Sequence, residues 1–82
     1  MSQQPMLMLD LEERLRDDAD GEMRQRLCDD LDTERQRLSR LLDQGAPPAH
    51  AEALKTLIGA YQAAHETVQR VWARFHPTQA DR

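Results

Sequence analysis

Leu54-Lys55-Thr56-Leu57-Ile58-Gly59-Ala60-Tyr61-Gln62-Ala63-Ala64-His65-Glu66-Thr67-Val68-Gln69-Arg70-Val71-Trp72-Ala73-Arg74-Phe75 is the stretch that decides the fold. Leu54, Ile58, Tyr61, His65, Val68, Trp72 and Phe75 follow an unbroken 4-3-4-3-4-3 spacing. Leu57, Ala64 and Val71 lie beside that line. Apolar residues at alternating steps of four and three share one face of an α-helix. Pro47 or Pro48 suits the first turn of such a helix, and Pro77 cannot continue it. The pattern predicts a helix over 48–75.

Upstream, Met23, Leu27, Leu31, Leu38, Leu41 and Leu42 form a second stripe over 22–42, flanked by Cys28 and interrupted by Glu34. Gly45 is placed to end that helix, and the turn is expected at 43–47. So short a connection forces the two long helices antiparallel. Leu7, Leu11 and Leu15 predict a short helix over 6–16. Asp17-Asp18-Ala19-Asp20-Gly21 either breaks it, with Asp20 capping the next helix, or is carried through in one long helix, because Ala19 continues the spacing. The expected fold is all-α: an antiparallel hairpin of two long helices with a short N-terminal helix or helical extension. Residues 6–76 form the domain, 1–5 a disordered start and 77–82 a flexible tail.

One neighbour covers only a seam, so the stripe on the third helix exceeds what the second can bury. Leu27, Leu31, Leu38, Leu41, Leu57, Ala64 and Val71 are expected in the hairpin core. Leu54, Ile58, Tyr61, His65, Val68, Trp72 and Phe75 are expected to face a partner protein or a second copy. Arg24 is expected on a solvated face.

Composition narrows the chemistry. The 82 residues carry 11 Lys+Arg against 15 Asp+Glu, a net charge of −4, which argues against a nucleic-acid surface. Arg35, Arg37 and Arg40 make a small basic turn, but Asp32, Glu34 and Asp43 surround it. Cys28 is the lone cysteine, so no internal disulfide forms, and a reducing compartment fits. Arg24, one turn earlier, is placed to lower the Cys28 thiol pKa, although a packed apolar role suits Cys28 better. Asp17–Gly21 fails as a calcium loop: with Gly21 at loop position 6, Arg16 and Leu27 fall where acidic ligands belong. His50, His65 and His76 lack metal-ligand spacing. The expectation is a non-enzymatic cytoplasmic protein with no metal, cofactor or membrane span.

Several segments, taken in order, resemble a known group. Leu11-Glu12-Glu13-Arg14-Leu15 resembles an early Leu-Glu-x-Arg-Leu, followed by Ala19-Asp20-Gly21 and by Arg24-Gln25-Arg26-Leu27 opening the next helix. A Leu-ended helix then reaches Gly45 and the Pro turn. Trp72-Ala73-Arg74-Phe75-His76 is similar to an aromatic-rich helix end with Arg and His. Together, over residues 9 to 76, these resemble the YscE/PscE and SsaE/EscE group of small type III secretion needle co-chaperones. The third helix and tail are longer here than in the shorter members.

The resemblance implies a cytosolic helical hairpin without enzymatic activity. It implies a TPR-like chaperone partner and, through it, a needle subunit held unpolymerised before export. Links to a translocator protein or to the secretion ATPase are also implied. The rival expectation from the residues alone is a homodimeric four-helix bundle, an interaction module with no secretion role.

Overall fold

The computed structural model describes residues 4–80. It is all-helical: α1 (Gln4–Asp17), α2 (Glu22–Asp43), α3 (Pro48–Phe75) and the single turn α4 (Pro77–Ala80), with no strand among the described residues. At ~1.5 Å per residue, α2 and α3 are about 33 and 42 Å long. They pack along their length as the antiparallel hairpin, and α1 rests on both.

The hairpin turn falls where the spacing places it. The Gln44 N–H donates to Arg40 O at 3.0 Å and the Gly45 N–H to Leu42 O at 3.1 Å. Gly45 sits at φ 93°, a left-handed conformation that closes a helix without a Cβ penalty. Pro48 then opens α3, and the Ala51 N–H donates to Pro47 O at 2.8 Å.

Asp17–Gly21 breaks the chain between α1 and α2, so the single long helix does not form. Gly21 adopts φ 74°. A Cβ there would lie 3.0 Å from Arg24 Nη2 and 3.3 Å from Trp72 Cζ2, so both backbone and space require glycine. The first turn of α2 is capped mainly by Asp18 rather than Asp20. Asp18 Oδ1 accepts from the Met23 N–H at 3.0 Å, and Oδ2 from the Arg24 N–H at 2.9 Å. Asp20 Oδ1 takes only the Glu22 N–H, at 3.1 Å. The two turn residues after Asp18 bring its carboxylate back over the helix start, a path that a spacing rule does not register.

The ends differ from expectation as well. Gln4 and Pro5 belong to α1, and 77–80 form a helical turn instead of a loose tail. The remainder of both terminal segments, 1–3 and 81–82, lies outside the described residues.

The core is small and lies at the open end of the hairpin. Leu15, Cys28, Val68 and Trp72 are buried together, with Met23, Leu27, Leu31 and Val71 packed against them. Leu38 is buried separately, nearer the turn. The molecule is a thin plate, with principal extents of 45 × 39 × 15 Å.

Candidate functional site: the uncovered flank of the hairpin

On α3 the roles that spacing assigns are partly reversed, although Val71 packs against the core as expected. The 4-3 line is the seam against α2. Tyr61 and His65 line a groove of about 310 Å³ with Leu31, Asp32 and Arg35 of α2, and Leu54 shares another with Leu41. Val68 and Trp72, expected to face a partner, are only 7% and 4% exposed. Ile58, Phe75 and the other three seam residues are half-buried. Conversely, Leu41 and Leu57, expected in the hairpin core, are 41% and 46% exposed. Leu38 is buried as expected, and Leu27, Leu31, Ala64 and Val71 are half-buried. Both lines keep the 4-3 spacing, so the position of α2, and not the spacing, decides which of them becomes the seam. The residues alongside are left on the flank.

Trp72 is the centre of the buried end. Its Nε1–H donates to Asp18 O at 2.8 Å, across 54 residues of chain. The Arg24 guanidinium lies 4.2 Å from the indole centroid, and the His76 ring stacks at 4.6 Å between centroids. Arg24 is therefore half-buried against an aromatic face, not solvated; a cation over an indole is held by the ring quadrupole. His76 Nε2 lies 2.9 Å from Leu15 O. A carbonyl only accepts, so this contact requires the proton on Nε2. Two side chains near the end of α3 thus satisfy carbonyls at the end of α1.

Cys28 sits in the same core. Burial pushes its thiol pKa up and outweighs the opposing charge of Arg24. An apolar packing role follows, and an activated thiolate does not.

Among the described residues Asp18 is the one buried charged residue. Burial raises its pKa, but the backbone donors of Arg24 and Met23, with Asp20 and the Arg24 charge, together hold it below the ordinary 3.8. A carboxylate with a depressed folded pKa stabilises in full above its unfolded value. That stability is lost as pH falls below 3.8 through the lower folded value. Asp18→Asn is expected to cost about 1 kcal/mol at neutral pH, as a weakened cap does. It should also flatten the acid limb of stability. Urea unfolding of both proteins across the acid range checks this, and identical acid limbs would refute it.

Some polar residues elsewhere on α2 pair with one another. Arg35 donates from Nε and Nη2 to Asp32 Oδ1 at 3.0 and 2.8 Å, and Arg37 pairs with Glu34 at 2.9 Å. Among the described residues no cluster of three or more His, Cys, Asp or Glu side chains forms a metal site. None of the described helices is long and apolar enough to cross a membrane.

What remains open is apolar. Among the described residues, Leu11, Leu41 and Leu57 are the exposed large hydrophobic ones. Leu11 lines a groove with Leu15, Thr67, Val68 and Val71, and a second with Met23 and Leu27. Leu11 thus sits over the seam between α2 and α3, covering the far end of the flank and leaving the rest bare. The chain exposes 6388 Å². Mass scaling for a 9.5 kDa monomer gives about 5,000 Å², so roughly 1,300 Å² is in excess. The three leucines at the edge of an under-buried plate are what sequence reading missed. Leu57 stands one residue off the α3 seam, while Leu41 and Leu11 lie on the expected stripes of α2 and α1 and carry no separate signal.

Compared with known protein families, curated proteins and solved structures, the chain matches none.

Proposed function

We propose that this chain is a non-catalytic cytoplasmic docking module, a co-chaperone of the type III secretion kind. It binds a helical TPR-like chaperone and, through it, helps keep a needle subunit soluble and unpolymerised before export. The observation that carries the docking role is the bare flank of α3, with Leu57 at 46% exposure and Leu41 and Leu11 at 41% and 37% nearby. The secretion assignment rests on the resemblance of the ordered segments between residues 9 and 76.

A hairpin with one apolar seam satisfied and a second face open is shaped to add helices to a larger helical surface. The chaperone's fold then gains stability by mass action, because a ligand that binds only the folded state adds RT ln(1 + [L]/Kd). Needle-subunit helices, which polymerise through their own apolar faces, stay covered by the chaperone groove. No reaction is carried out and no cofactor is needed. Translocator and ATPase contacts are a further part of this proposal.

Co-expression with a TPR-like secretion chaperone and its needle subunit tests it. A soluble ternary complex, lost when Leu57→Glu is introduced, is the expected outcome. Needle subunit that remains equally soluble without this chain, and no co-purification, defeats the secretion role.

A further inference from the structure

We infer that the bare flank of α3 pairs with the same flank of a second copy, antiparallel about a two-fold axis near Gln62. This goes beyond the docking role and uses the same flank, so a second copy and a chaperone would occupy it in turn. Ala53, Leu57, Ala60, Ala64, Thr67 and Val71 repeat the 4-3 spacing one residue behind the seam, so α3 carries two adjacent heptad lines. One line is used by α2. The second carries no charged residue from Ala53 to Val71, and its next step is Arg74.

Its sequence is self-complementary in the antiparallel sense. Setting Ala60 against the second copy's Ala64 puts Leu57 against Thr67 and Val71 against Ala53. Each large residue then meets a small one, which lets the helices approach closely. The same register places Glu52 between Arg70 and Arg74 of the other copy, twice by symmetry. Arg70 and Arg74 are exposed and make no ion pair among the described residues, while Glu52 holds Lys55 only loosely at 3.5 Å. A parallel pairing would oppose like charges.

The exposed leucines agree independently. Leu41 borders the strip at Ala53, and Leu11 borders it at Thr67 and Val71. The register that joins Ala53 to Val71 therefore brings Leu41 of one copy towards Leu11 of the other. The three large hydrophobic residues exposed among the described residues converge on one interface. The excess of roughly 1,300 Å² per chain exceeds the ~800 Å² that each partner contributes to a standard interface.

The test uses the full chain alone, by sedimentation equilibrium at micromolar concentrations. The expected species has twice the chain mass. Leu57→Glu should raise the dimer Kd by roughly 100-fold or more, because it buries an unpaired charge. Its helix content should be unchanged, as Leu57 is exposed in the single chain. Arg70→Glu with Arg74→Glu should weaken the dimer, and adding Glu52→Arg should restore it. Gln62→Glu, on the polar-groove side of α3, should leave it intact. A monomer at every concentration overturns the inference, as does a dimer indifferent to Leu57→Glu or a charge swap that fails to rescue. None of these results depends on whether a secretion chaperone binds, which the co-expression experiment reads separately.

Discussion

Trp72→Ala is expected to destabilise the free chain by about 3–5 kcal/mol, the range for truncating a buried large aromatic. Trp72 is 4% exposed, donates to Asp18 O, and stands between Arg24 and His76. Its removal opens a cavity beside Leu15 and Val68 and leaves the Asp18 carbonyl with only the Gly21 N–H as donor. Small domains hold only ~5–15 kcal/mol in total, so much of the population should unfold near physiological temperature. Circular dichroism melts of the isolated protein check this. Unchanged thermal stability would mean that the indole packs at an interface between molecules, not within one.

Leu15→Ala should cost about 2–5 kcal/mol, the range for deleting a buried Leu side chain. At 1% exposure Leu15 is the most buried hydrophobic residue among those described, and it anchors α1 in the core. Its loss is expected to release α1 while α2 and α3 remain paired through Leu38 and the rest of their seam. Hydrogen exchange separates the two effects. Amides of 10–17 should lose protection, and those of α2 and α3 near Leu38 should keep most of theirs. Uniform loss of protection across all helices would show that α1 and the hairpin fold as one unit.

The hairpin was legible because its signals are local and redundant. Gly45 and the two prolines mark the turn, and seven residues of α3 keep one spacing without a fault. Which face of α3 meets α2 was not legible. Leu54, Ile58 and Trp72 stand one residue from Ala53, Leu57 and Val71, a rotation of about 100° on a 3.6-residue helix. Both lines are apolar, so choosing between them needs the partner's position, which no local pattern carries.

Trp72 shows the consequence. An aromatic on an apolar stripe suits an interface and a core equally well, and the turn carbonyl it bonds is 54 residues away. Asp18 was hidden for a related reason. Its capping role depends on the path of Ala19, Asp20 and Gly21, and Gly21 at φ 74° sets that path. The pairing of Asp32 with Arg35, by contrast, needs only three residues of helix and was readable at once.

The bonds from Trp72 to Asp18 O and from His76 to Leu15 O span 54 and 61 residues of chain. They set an order of events as the protein assembles. The α2–α3 pair can zip outward from a turn of a few residues, with little loop entropy to overcome. Docking of α1 must instead close almost the whole polypeptide into a ring, so it comes after the hairpin exists to receive it. Substitutions at Leu15 and Trp72 should then accelerate unfolding far more than they slow folding, while those at Leu38, near the turn, should do the reverse. During synthesis the first helix leaves the ribosome with nowhere to bind until Trp72 and His76 have emerged.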